Sequence, residues 1–185
     1  MPSLLFPVLP GAGRRRALSR LLTVEDLPPG WRRDGQRTWR TGRTGQASPW
    51  RERARQNGSV TAWRSFRGGK RWLWAQAVPL ATRDDAVAAL RTVGECLLAN
   101  PAAAVEVVGE RDVDLPLFGD ASAVWAREQQ VRSVATGHNT VTLLLAGAVG
   151  SDVLVLSLSG EPAWDWDDAT DLASRQAARL TATAG

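Results

Sequence analysis

Tyrosine is absent, and cysteine, histidine and methionine occur once each. The lone cysteine, Cys96, excludes an intramolecular disulfide. It stands in Gly94-Glu95-Cys96-Leu97-Leu98, inside a predicted helix, where a buried and inert thiol is expected. One histidine and one cysteine leave no room for a zinc site of the ordinary ligand type. His138 occupies the turn Gly137-His138-Asn139. It could act as a general base only if the fold carried a nucleophile to it, and it reads as an exposed turn residue. Long apolar runs are missing too. The longest, Val141–Val149 and Val153–Leu158, fall well short of the roughly 20 residues that span a bilayer.

Nucleotide and hydrolase signatures are likewise lacking. Gly11-Ala12-Gly13 runs into arginines with no strand before it, and Gly42-Arg43-Thr44-Gly45 has no lysine-serine pair behind it. No G-x-S-x-G elbow occurs around Ser159-Gly160. The carboxylates Asp112, Asp114 and Asp120, and Asp165, Asp167 and Asp168, lack calcium-loop spacing and read as loop acids and helix-end charges. No cofactor and no metal site is expected, and no catalytic residue stands out.

What is present suits one globular domain. The 185 residues are 44% hydrophobic and 23% charged, enough to build a core. The expected division is a flexible N-terminal segment over 1–14 and a single α+β domain over 15–185. The apolar start Met1-Pro2-Ser3-Leu4-Leu5-Phe6-Pro7-Val8-Leu9-Pro10 precedes Arg14-Arg15-Arg16, the reverse of the order in a secretory signal. The charge is uneven. Residues 11–71 carry 16 basic and 4 acidic side chains, net +12, and residues 72–185 carry 7 and 15, net −8. Such asymmetry marks either a polyanion-binding surface or two parts of one domain that attract each other.

Local patterns order the elements. A short helix is expected over Ala17–Leu22, ended by Asp26-Leu27-Pro28-Pro29-Gly30. Trp31 opens an extended segment, and Ser48, Pro49 and Asn57-Gly58 suit the two ends of a helix in the polar, arginine-rich stretch that follows. Strands over Ser59–Arg67 and Arg71–Leu80 flank a Gly68-Gly69 turn. Thr82-Arg83-Asp84-Asp85 resembles a capping box, leading into a helix with Ala86, Leu90, Val93 and Leu97 on one face and a stop at Asn100-Pro101. Strands follow over Val105–Val113, Asp120–Glu128, Thr140–Ala146 and Asp152–Ser159, the last two apolar on both faces as central strands are. A final helix over Asp165–Ala182 places acids early and Arg175 and Arg179 late, with Ala169, Leu172, Ala173, Ala177 and Leu180 as its stripe. Hairpin spacing implies an antiparallel sheet flanked by helices.

Nine tryptophans are the unusual feature. Trp31, Trp39, Trp50 and Trp63 are interleaved with arginines. Either they stack on a ligand with cationic help, or they pack inside with arginines lying over their faces. The candidate binding surface runs from Trp39 to Arg55 and uses Trp39, Trp50, Arg51, Arg53 and Arg55.

The stretch Leu21-Leu22-Thr23-Val24-Glu25-Asp26-Leu27-Pro28-Pro29-Gly30-Trp31 resembles the opening of actinobacterial sensor-domain and small lipoprotein-type proteins. Gly119-Asp120 leading into a strand, then a hydrophobic hairpin and a final helix, is also similar, so the likeness runs from about Leu21 to Leu180. It implies a PsbP-like α/β/α sandwich and a non-enzymatic domain that binds a small-molecule ligand or a protein partner at the cell envelope. It supplies no catalytic residues. No lipobox, signal peptide or membrane span is visible, which reads as cytoplasmic unless the true start lies upstream of Met1. Two other functions stay open: polyanion binding, to nucleic acid or an acidic membrane, through the Arg/Trp-rich N-terminal half, and a hydrolase with a carboxylate-only site.

Overall fold

A computed structural model describes residues 11–40, 60–98 and 105–183. In chain order the elements are α1 (Gly11–Ser19), a 3₁₀ turn (Val24–Asp26), β1 (Arg32–Arg40), β2 (Val60–Gly68), β3 (Lys70–Pro79), α2 (Arg83–Leu98), β4 (Val105–Asp112), β5 (Ala121–Ser133), β6 (Asn139–Val149), β7 (Asp152–Glu161) and α3 (Trp166–Thr183). The seven strands form one antiparallel sheet ordered β1-β2-β3-β7-β6-β5-β4. It is therefore an α+β fold of two meanders, β1–β3 and β4–β7, joined where β3 meets β7.

Side chains alternate across the sheet, and each face has its own cover. Phe66, Leu73, Leu143, Leu145, Leu154, Leu156 and Leu158 form the main core with the stripe of α3 and with Ala17 of α1. On the reverse face Ala86, Ala89 and Leu90 of α2 pack on Val78, Ala146, Ala148, Val153 and Val155. β6 and β7 are central and apolar on both sides, as expected. Local chemistry sets the helix starts. Thr82 Oγ1 accepts from the Asp85 amide at 3.1 Å and donates to its carboxylate at 2.8 Å. Asp165 caps α3 by accepting from the Asp168 amide at 2.7 Å.

Several boundaries differ from expectation. The first helix begins at Gly11 rather than Ala17, inside the segment expected to be flexible, and ends at Ser19, because Leu21 and Leu22 turn out of it into the core. The arginine-rich stretch after Trp31 is edge strand β1 over its first nine residues. This agrees with the extended segment expected to open at Trp31, although alternation could not bound it, because an edge strand need not be apolar. β5 runs on to Ser133, five residues beyond the expected end. The helix expected over residues 48–57, the stop at Asn100-Pro101, and the side chains of Val93, Cys96 and Leu97 lie outside what is described.

The segment Leu21–Trp31 acts as a clasp. Leu21, Leu22 and Leu27 are buried in the main core. The Thr23 amide donates to Asp26 Oδ2 at 2.6 Å, and Arg179 of α3 clamps both carboxylate oxygens, each at 3.0 Å. Burial pushes the Asp26 carboxyl up, but the hydrogen bonds from Arg179 and Thr23 outweigh it, so the group sits below its ordinary value. Trp31 packs on Trp164 with ring centroids 5.3 Å apart, and the Arg71 guanidinium lies 3.5 Å from the Trp164 centroid. Gly68 is required beneath Trp31, since a Cβ there would stand 2.4 Å from the indole.

Two predictions follow from this packing. Gly160 has φ +123°, and a Cβ on it would lie 2.3 Å from the Lys70 carbonyl oxygen in β3. Gly160→Ala should therefore cost more than about 3 kcal/mol in urea unfolding. Gly69→Ala, at φ +60° in open space, should cost only about 1–2 kcal/mol. Asp26→Asn tests the clasp. A carboxyl with a depressed folded pKa stabilises fully above its unfolded value and loses that contribution as pH falls through the folded value. The substitution should cost about 1 kcal/mol at pH 7, given a partly exposed pair, and the penalty should fade as pH falls beneath the ordinary carboxylate range in urea titrations.

Candidate functional site

The two faces of the sheet differ in chemistry above the level of α2. On the α1/α3 face, adjacent positions across the strands are Phe66, Leu73, Leu158 and Leu143, all fully or nearly fully buried. One residue along, the opposite face carries Arg32, Arg67, Trp72, Ser159, Thr142 and Gln129 in one continuous row. The next row is Gly35, Ser65, Trp74, Ser157, Leu144 and Arg127. The third is Arg37, Trp63, Gln76, Val155, Ala146 and Trp125. α2 packs across β5, β6 and β7. α2 also reaches Val78 near the end of β3, and Trp74 rests partly buried against the same cluster, whereas Trp72, further along β3, is half-buried and stands outside that cluster.

The geometry of the rows comes from strand pairing. Trp72 and Trp74 are two residues apart on β3, so their indoles rise from one face about 7 Å apart. Gly35 follows a bulge in β1 and lets Trp63 lean over that strand. A Cβ at Gly35 would lie 3.3 Å from the Trp63 ring. The polar side chains differ in how far they are enclosed. Gln76 and Ser65 are buried. Gln129 is 7% exposed, and its amide nitrogen has no hydrogen-bond partner. The hydroxyls of Thr142, Ser157 and Ser159 are half-buried and engage no other side chain or backbone group among the described residues. A packed interior has little use for this combination. A surface that receives hydrogen bonds from outside the chain does.

The rim is cationic. Arg32 and Arg67 stand directly opposite each other in register, both exposed, with no ion pair among the described residues. Glu161, on the same face, is engaged at 2.5 Å by His138 Nε2 and at 3.5 Å by Lys70. The hydrogen bond and charge of His138, then Lys70, hold its carboxyl below the ordinary value. On β4 and β5, Arg127 is bound to Asp112 at 2.7 Å and to Glu110 at 3.2 Å. His138 is thus an exposed turn residue facing a carboxylate rather than a nucleophile.

Of the tryptophans interleaved with arginine, Trp31 belongs to the clasp and Trp63 to this face. Trp39 pairs with Thr61 near the end of β1, and its side chain is not described. Trp50, Arg51, Arg53 and Arg55 lie outside the described residues. Arginine over indole does occur: Arg71 covers Trp164, and the Arg127 guanidinium sits 5.5 Å from the Trp125 centroid. The residues that sequence reasoning missed are Thr142, Ser157, Ser159 and Gln129. The alternation of Trp72, Trp74 and Gln76 was visible, but its continuation depends on which strands pair. The signal that could have found the serines is Leu156-Ser157-Leu158-Ser159, a polar-apolar alternation inside an otherwise apolar strand.

The acids expected to be ordinary are engaged locally: Asp120 accepts from Thr181 at 2.9 Å and Asp165 caps α3. Among the described residues no group of three or more His, Cys, Asp or Glu could hold a metal ion. A hollow of about 450 Å³ between α1, the β6–β7 turn and α3 is lined by Arg16, Arg20, Asp120 and Asp152. Its wall is an ion pair, Arg20 with Asp152 at 2.9 Å. Burial pushes the Asp152 carboxyl up, while the neighbouring arginines pull it down.

No family model matches the chain, and no curated protein matches it. Among solved structures it is similar to the extracellular domain of PknH from Mycobacterium tuberculosis, with a TM-score of 0.55, 11% identity, and coverage of 91% of this chain and 94% of that one. An uncharacterised protein from Mycobacterium smegmatis aligns with a TM-score of 0.45 at 11% identity, over 85% of this chain and 92% of that one. At this identity the PknH likeness establishes the fold. No helix among the described residues is long and apolar enough to cross a membrane.

Gln129→Leu separates a binding role from a structural one. Removing a buried donor that has no partner should leave stability unchanged or raise it by up to about 1 kcal/mol. A loss larger than that in thermal or urea unfolding would make Gln129 part of the packing.

Proposed function

We propose that the chain is a non-enzymatic ligand-binding domain of the sensor-domain type. Its binding floor is the α2 side of the sheet around Trp72, Trp74, Ser157, Ser159, Thr142 and Gln129. One observation carries this reading: the same strands are aliphatic on one face and carry indoles and unengaged hydroxyls on the other. A floor of this kind holds a ligand by stacking and hydrogen bonding. It offers no general base beside a nucleophile, so recognition without turnover is the chemistry that fits.

The PsbP-like arrangement belongs to this reading and is supported by helices on both sides of the antiparallel sheet. A place at the cell envelope is supported by the neighbour's being an extracellular domain. The expected experiment is intrinsic tryptophan fluorescence against a panel of neutral and acidic oligosaccharides and aromatic amino acids. At least one class should shift the emission saturably and be recovered chemically unchanged. Trp72→Ala and Trp74→Ala should each weaken binding about tenfold or more. A panel that leaves emission unchanged, or a bound compound that is recovered cleaved, would overturn the reading.

A further inference from the structure

Resting on that reading, we infer that the ligand is a saccharide bearing a carboxylate, its ring stacked on Trp72 and Trp74 and its acid group held between Arg32 and Arg67. Three features of the face converge on this class. The floor is rich in neutral partners: Thr142, Ser157 and Ser159 offer half-buried hydroxyls that engage no other group among the described residues. Hydroxyls arrayed beside an indole match a ring whose edge is all hydroxyl and whose face is C–H.

The second feature is the arginine pair. Arg32 lies directly across from Arg67, and Arg67 directly across from Trp72. Opposed side chains on an antiparallel pair start about 5 Å apart, and like charges there repel. Neither guanidinium has an ion pair among the described residues to offset that repulsion. An anion lying between them relieves it, and a planar carboxylate suits the fork geometry of arginine. The acid group of the ligand would then sit at the edge of the ring stacked on Trp72.

The third feature is the state of the acids on this face. Glu161 is committed to His138 and Lys70, and Glu110 and Asp112 to Arg127. The one acid near the pair without an ion pair among the described residues is Asp34, at the irregularity between Arg33 and Gly35 of β1 and outside the paired rows. Trp74, one row further in beside Ser157 and Ser65, rests partly buried against the α2 cluster, and its remaining exposed part continues the stacking surface away from the charge, so the ligand has an acidic end and a neutral end.

The test is calorimetric titration of the whole chain with trigalacturonic acid, with its neutral counterpart galactotriose, and with indole-3-acetate as an aromatic acid that is not a sugar. The acidic trisaccharide should bind about tenfold or more tighter than the neutral one, and added salt should erode that difference. Arg32→Gln combined with Arg67→Gln alters only exposed side chains. It should bring the acidic trisaccharide down to the level of the neutral one, with the melting temperature unchanged or raised as the repulsion is relieved. Trp72→Phe should weaken both sugars, and it keeps an aromatic ring as a safeguard for folding. Equal affinity for the two sugars, or indifference to the double arginine variant, would overturn the inference and leave the binding floor standing. Binding of indole-3-acetate alone would do the same. Silence from all three probes, together with no response in the wider panel, would overturn the binding floor itself.

Discussion

The ladder between β3 and β7 holds the molecule together. Ten residue pairs, from Lys70 with Glu161 to Pro79 with Asp152, join two meanders that are otherwise separate in sequence. Without it the N-terminal three strands and the C-terminal four would each be a small sheet with an uncovered edge. The ladder also brings Leu73, Ala75 and Ala77 beside Leu158, Leu156 and Leu154, so one apolar surface spans both halves beneath α3. Gly160 lets β7 pass against Lys70 where any side chain would collide, and it ties the end of the ladder to the hairpin at Gly69.

The charge asymmetry finds its physical sense in the same arrangement. The acids of α3 meet basic residues from the N-terminal half: Arg71 binds Asp168 at 3.1 Å. The cross-half pairing also includes Arg20 with Asp152 in β7 and, with the signs reversed, Asp26 with Arg179. Part of the opposition between the basic and acidic halves is thus spent inside one domain. Arg64 is held without an acid. It is buried with its guanidinium against the Leu22 and Leu18 carbonyls and Gln36. Burial, then repulsion from Arg33 and Arg179, pulls it below its ordinary value. What remains unspent on the α2 face is the pair Arg32 and Arg67.

The elements were legible where one physical signal dominated. β6 and β7 announce themselves by apolar residues on both faces, α3 by its stripe and its early acids, and the β2–β3 hairpin by Gly68-Gly69. β1 was legible only as an extended segment opening at Trp31, because an edge strand rich in arginine has no apolar period to fix its bounds. Gln176 was overlooked in the stripe of α3. It is fully buried among the leucines and donates to the Gln76 carbonyl at 2.9 Å, a contact between residues a hundred positions apart. The segment Leu21–Trp31 was noticed for its likeness to other proteins. Its role, however, comes from Arg179 and Trp164, neither of which lies near it in the chain.

By itself the sequence determined the absence of a disulfide, the poverty of metal ligands and acid–base pairs, the order of most elements and their antiparallel character. These follow from composition and from periods of two and 3.6, which are local. Only the tertiary structure decided that Trp72 neighbours Ser159, Thr142 and Gln129 on one side and Arg67 and Arg32 on the other. Cross-strand register is set by packing over the whole sheet, and shifting it by one residue would turn each of those side chains to the opposite face.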